Sequence, residues 1–279
     1  MPIHDQSYRR YRGGKAMPGQ AWMVIARAGL VTMIRKRAFL GLILFAWVPF
    51  IARAVQIYVT ANYPQIAMFA PTAETFRQFL EQQAFFVFIV TIYAGAGLIA
   101  NDRRANALQI YLSKPLMRSE YIAGKAAILF AFVLFVTMVP ALLLLLLQVM
   151  FAGSFEFLRK NLFLFPAIIV ASLLQAMLVT FTMLALSSLS KSSRYVGILF
   201  AGIIFFTEAI YVVMLAITGS TKLSWLSLSG NLAQVVDVIF RLKPRYATPW
   251  PVSLIVIVGL IALAISVLER RVRGVEVVT

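Results

Sequence analysis

Cysteine is absent from the 279 residues. That excludes disulfides, thiolate metal sites and cysteine nucleophiles, and it leaves the redox compartment open, because a chain without thiols suits either environment. Histidine occurs once, as His4 in the polar head of the chain. No H-E-x-x-H zinc site can therefore be built, and His4 reads as a solvated tail residue. No G-x-S-x-G marks a serine nucleophile, and no G-x-x-x-x-G-K-[ST] loop is present to cradle nucleotide phosphates. Charge is scarce as well: 13% of residues are charged and 61% are hydrophobic. Soluble domains average about 25% charged residues, so this chain lacks the polar surface that a water-facing globule needs.

What it has instead is long apolar runs. A helix needs roughly 20 apolar residues to cross about 30 Å of hydrocarbon. Six stretches fit: Ala38–Thr60, Ala84–Ala100, Ala126–Ala152, Leu162–Leu186, Tyr195–Ile217 and Trp250–Leu268. The second is short and borrows Leu80 from its polar side. The short alternating segments of a transmembrane β-barrel are missing. The fold class expected is all-α, a polytopic membrane protein of six transmembrane helices. The organisation expected is a leading segment 1–37, a membrane domain 38–268 and a short tail 269–279. The first apolar run starts late and is long enough to span, so it reads as a retained signal anchor and not a cleaved signal peptide.

Lys and Arg number 26 against 10 Asp and Glu, a net charge of +16. Met1–Arg37, Asn101–Lys125, Ser187–Arg194 and Glu269–Thr279 carry 8, 5, 2 and 3 of them, 18 in all. Excess positive charge in short loops marks the cytoplasmic side, which places both termini there. Because the charge sits beside the spans, it answers to topology and to the lipid bilayer, and nucleic acid is not expected as a partner.

From Met17 to Ile34 apolar residues recur at helical spacing, with Met17, Ala21, Val24, Ala28 and Val31 on one stripe and Arg35, Lys36 and Arg37 directly after. The pattern predicts an N-terminal interfacial helix whose basic end turns into span one; a loose cytosolic arm is the other reading. Two outer segments, 61–83 and 218–249, are too apolar to hang in water. Thr72 is placed to cap a helix over Ala73–Gln83 lying on the outer surface. Leu232, Val235, Val236, Ile239 and Phe240 predict short helices tucked into the outer end of the bundle. Pro49, Pro140 and Pro166 predict kinks or broken ends in spans one, three and four. Ala94, Gly95, Ala96 and Gly97 form a small-residue patch that permits close helix approach.

The most informative stretch is the loop 101–125, NDRRANALQIYLSKPLMRSEYIAGK. Asn101 or Asp102 can cap a short helix through Leu112, with Ala105, Leu108, Tyr111 and Leu112 on one side. Pro115 ends it, and Ser119 can cap the helix that becomes span three. Two readings fit: a compact basic knob that docks a cytoplasmic partner, or a positive-inside loop with no partner.

This loop resembles that of type-2 ATP-binding-cassette (ABC) transporter permeases. In that family an acidic residue and an Arg open a short helix, a Leu-containing segment follows, and a Pro–x–x–Arg/Ser turn leads to Gly–Lys. Asp102 and Arg103 match the opening, Leu108 the apolar position, Pro115 and Arg118 the turn, and Gly124–Lys125 the close. Asn106 stands where the family often has Gly, and Gln109 where it often has Glu. The resemblance extends over the interfacial helix, the six spans, the apolar outer segments and the basic tail. It implies a coupling helix seated in a groove of a separate ABC ATPase subunit, with Asp102, Arg103, Leu108, Tyr111, Leu112, Lys114, Pro115 and Arg118 as the contact. It implies further a second permease subunit, identical or related, and export from a cell membrane, the bacterial inner membrane. No cofactor is expected on this chain; ATP and Mg would be bound by the ATPase partner, and the chain itself would not be an enzyme.

Two charges fall inside apolar runs, Arg53 in span one and Glu208 in span five, at comparable depth. A lone charge there costs about 2.5–3.5 kcal/mol on insertion scales. Either the two pair, or they line a polar pocket together, or Arg53 snorkels to the outer headgroups. Gln148 and Gln175 are weaker candidates for the same path. Two other function classes stay open: a secondary transporter or lipid scramblase working alone, and a non-transporting membrane anchor of a larger complex.

Overall fold

The computed structural model describes residues 20–63, 71–107, 117–151, 159 and 161–272. Among these residues every regular element is helical. Six helices are long and apolar enough to cross a membrane: Arg37–Asn62, Ala73–Arg104, Arg118–Phe151, Leu164–Leu189, Ser193–Thr218 and Trp250–Arg271, spans one to six. The fold is the all-α polytopic bundle that the apolar runs require. The end that carries Lys36, Arg103, Arg118 and Arg270 is the basic end.

Proline sets the breaks. Span one is interrupted at Trp47, and Pro49 then falls in the first turn of Val48–Asn62. Span three is interrupted at Thr137, with Pro140 in the first turn of Met138–Phe151. Pro166 lies in the first turn of span four. In each case the missing N–H falls where a helix has no partner for it.

Span two departs from expectation. The helix over Ala73–Gln83 is not a separate outer element, because Ala73–Val90 is continuous. Nothing in this stretch breaks a helix, and Phe76, Phe79 and Leu80 are buried against Leu144, Leu164 and Ile168 of spans three and four. Their apolar face was satisfied by the bundle, not by a membrane surface. Thr72 does stand at its start, where its backbone N–H donates to Thr75 Oγ1 at 3.1 Å. Lower down, Thr91–Gly95 is a π-helical turn before Gly97–Arg104 resumes the α-helix. Gly95 allows the close packing there: a Cβ on it would lie 2.6 Å from Met183 and 2.8 Å from Leu129.

Spans two, three and four form the centre. Half or more of each apolar window is buried, against 17% for span one and 11% for span five. The leading helix Ala21–Ile34 packs along span three. Gly124 makes this contact possible, because a Cβ would sit 2.9 Å from the Trp22 carbonyl oxygen. The opposite face of that helix leaves Met23, Val24 and Val31 exposed, which suits a membrane interface.

At the end opposite the basic one, a 3-10 turn Thr221–Leu226 and a helix Leu228–Ile239 close the bundle. Ser227 caps the helix, its Oγ accepting from Gly230 N–H at 2.8 Å. Buried Gln234 donates to the carbonyls of Tyr246 and Thr248 at 3.1 and 2.6 Å, which pins the return strand of chain to the helix.

Candidate functional site

Two polar clusters stand out from the apolar bundle, one at each end. The first is built where span two leaves the basic end. Asp102 lies in the last turn of Gly97–Arg104, and its Oδ2 accepts from Lys125 Nζ at 2.7 Å and from Tyr121 hydroxyl at 2.7 Å. Both partners are on span three, and the Lys125 ammonium lies 5.5 Å from the Tyr121 ring centre. Beside it Arg103 Nη1 donates to the Ser188 carbonyl of span four. Ser187 completes the tie. Its hydroxyl accepts from the N–H groups of Ile99 and Ala100 at 3.1 and 3.0 Å and donates to the Ala96 carbonyl at 2.9 Å. The serine thus holds three backbone groups of span two directly after the π turn.

The local structure corrects two expectations. Asp102 does not cap a new helix; it belongs to the end of span two, because no residue before it stops that helix. The helix ends at Ala105, and Asn106 has a φ of +52°. That left-handed conformation favours Gly and, next, Asn, which accounts for Asn where the family often has Gly. Ser119 does not cap span three either. The Glu120 carboxylate accepts from the Met117 N–H at 3.0 Å, and this charge-assisted bond does the capping instead. Arg118 is exposed at the rim of a groove with Ser119 and Glu269. Leu108, Tyr111, Leu112, Lys114 and Pro115 lie outside the described residues.

The four intramembrane candidates separate. Arg53 and Glu208 do not pair in this chain. Arg53 is met by glutamine carbonyls, Gln56 at 2.9 Å and Gln78 and Gln82 at 3.4 Å. Glu208 accepts from the hydroxyls of Ser227 and Ser229, both at 2.5 Å. The sequence suggested pairing from similar depth, but depth says nothing about which faces of two spans turn toward each other. Gln175 is buried and lines the same groove as Ser229, while Gln148 is half-buried on span three.

The second cluster escaped sequence reading. Asp237 is 2% exposed at the end opposite the basic one. Arg245 grips it with two bonds, Nε to Oδ2 at 2.9 Å and Nη2 to Oδ1 at 3.0 Å. Arg77 stands 3.6 Å away, and both arginines reach Glu81 at 2.8 Å. Burial pushes the Asp237 carboxyl up to about 6, with Glu81 and Glu74 acting in the same direction and Arg77 against it. Tyr246 is pushed up to about 12, first by burial and then by Tyr211, Glu208, Glu81 and Asp237. The available signal was Glu74, Arg77 and Glu81 at one-turn spacing, with a single acid on the apolar helix Leu228–Ile239. Among the described residues no group of His, Cys, Asp and Glu is arranged to hold a metal ion.

Residues 23–272 match the family model described as "ABC-2 family transporter protein". No curated protein sequence matches the chain.

Proposed function

The chain belongs to the ABC-2 transporter family, and on that premise we propose that it is the permease subunit of an exporter whose ATP is hydrolysed by a separate ABC ATPase. Membership makes the chain a multi-pass membrane component of such a transporter. The finer reading is that the basic end faces the cytoplasm of a bacterial cell, that the 101–125 loop docks the ATPase there, and that ATP and Mg are held by that partner.

The observation that carries the coupling role is the Asp102 carboxylate shared between Lys125 and Tyr121. It joins the two limbs of the loop at their roots, and Arg103 and Ser187 add span four. A force applied to the loop would therefore move spans two, three and four, with the leading helix, as one block. Spans one and five are packed least and are the elements against which that block can shift. Their exposed faces also suit a second permease subunit, which six spans need to enclose a path.

The test is co-purification from native membranes in mild detergent. An ABC ATPase should accompany the tagged chain and be lost when Leu108, Tyr111 and Leu112 are changed together to Asp. A sample without an ATPase would overturn the reading.

A further inference from the structure

A groove of about 260 Å³ opens between spans two, four and five and the helix Leu228–Ile239. Its walls are aromatic: Phe85, Phe88, Phe200 and Phe205 all line it. Phe88 is stacked on Phe200 at 6.1 Å between ring centres and meets Phe205 edge-on at 5.7 Å. Gln175 and Ser229 are its polar points. The Ser229 hydroxyl leads directly to Glu208, donating to Oε2 at 2.5 Å. Glu208 stands on span five one turn beyond Ile204 and Phe205, which line the groove.

The charge around this groove is unbalanced. Among the described residues the acids in ion pairs are Glu74, Glu81, Asp102 and Asp237, and Glu208 has no cationic partner. A smaller cavity of about 120 Å³ shares Ala84, Gln175, Ser229 and Leu232 with the groove and reaches Arg77, Glu81 and Arg245. Those two arginines are already shared among Glu74, Glu81 and Asp237. Among the described residues, the cations lining the two cavities, Arg77 and Arg245, are thus already paired, and Glu208 is an acid in excess.

We propose that this groove binds a lipophilic cation, its apolar body against Phe85, Phe88, Phe200 and Phe205 and its protonated amine on the Glu208 carboxylate. Ser227 and Ser229 hold the carboxylate when the groove is empty and orient it toward an arriving ammonium donor. The aromatic walls attract the same charge through their ring faces, and the low-dielectric surroundings strengthen the pairing. The inference rests on the transport reading only in making this ligand class the cargo. Binding itself is measurable without ATP or ATPase, so its failure is distinct from a failure of the ATPase to co-purify.

The experiment is equilibrium binding of radiolabelled dodecylammonium to the purified full chain in phosphatidylcholine nanodiscs, corrected with empty discs, beside dodecanol as the uncharged chain. Saturable binding of the amine at least tenfold tighter than dodecanol is expected. Glu208→Gln should weaken the amine at least tenfold and leave dodecanol unchanged, while Phe88→Ala should weaken both. Glu208→Asp, which keeps the charge on a shorter arm, should fall between and serves if the Gln variant is unstable. Equal affinity for dodecanol would make the groove a lipid-tail site and overturn the proposal. So would an amine affinity untouched by Glu208→Gln, including the case in which that variant instead separates two copies of the chain.

Discussion

Gln83 on span two donates through Nε2 to the carbonyl of Ala46 on span one at 3.1 Å, and both residues are fully buried. The bond falls where span one is interrupted at Trp47. There the helix Arg37–Ala46 ends, and the Ala46 carbonyl, one of the last of that helix, takes its donor from the neighbouring span. Spans one and two are thus joined at the kink itself. Gln83→Leu should remove the donor and leave the carbonyl unsatisfied, a loss of about 1–3 kcal/mol. The lower part of that range is expected, because Gln83 Oε1 is itself without a partner and its removal recovers some desolvation. Unfolding of the purified variant in detergent measures the change; wild-type stability would mean that the kink is satisfied without Gln83.

The Asp102–Lys125 pair should behave as one unit. The two side chains are 13–18% exposed, so each is costly to leave alone and the pair is costly to break. In a double-mutant cycle, Asp102→Asn and Lys125→Met should be non-additive by about 0.5–3 kcal/mol. On the proposal that Asp102 acts as the joint of the loop, ATPase binding should survive these changes while ATP-driven transport falls. Additive losses in the cycle would remove Asp102 from the role of a joint.

Class was legible in the sequence because apolar length is a one-dimensional property, and six runs could be counted without knowing how they pack. The breaks at Pro49, Pro140 and Pro166 were legible for a similar reason, since proline acts on its own turn. What escaped was whatever depends on which side of a helix meets which neighbour. Phe76, Phe79 and Leu80 form an amphipathic face that fits a membrane surface or a bundle interior equally well, and only the neighbours decide. Arg53 and Glu208 share a depth but not a facing direction. Asp237, a single acid on an apolar helix, gave no hint that Arg245, eight positions later, would return to it, because the residues between them set the geometry. The loop's Gly124–Lys125 was read by resemblance; the structure gives each residue a physical reason, close approach of the leading helix for one and the Asp102 pair for the other.

That close approach is testable with a chain that has no native cysteine. Ala26, on the leading helix, is 7% exposed, so an Ala26→Cys reporter should react slowly with a maleimide. Gly124→Leu places a side chain where even a Cβ would meet the Trp22 carbonyl oxygen at 2.9 Å and Ile25 Cβ at 2.8 Å. The helix must lift, at about 1–3 kcal/mol for overpacking, and labelling of Cys at position 26 should rise severalfold. Unchanged labelling would mean that the leading helix is held by contacts other than this one.

The Asp237 cluster makes stability depend on pH in a direction opposite to that of an ordinary salt-bridged acid. Its carboxyl is pushed up to about 6 from an ordinary 3.8, so between those values the folded chain binds a proton that the unfolded chain does not. Stability from this group is then fully present below the ordinary value and is lost as pH rises through about 6. The groups facing Asp237 are Arg77, Arg245, Glu81 and Glu74, and the arginines stay charged throughout this range. Measured against Asp237→Asn, the melting temperature of the unaltered chain should fall as pH goes from 4 to 7 and level off above 7. A difference that instead grows with pH would mean that the two arginines outweigh burial, and would make Asp237 an ordinary anchoring carboxylate.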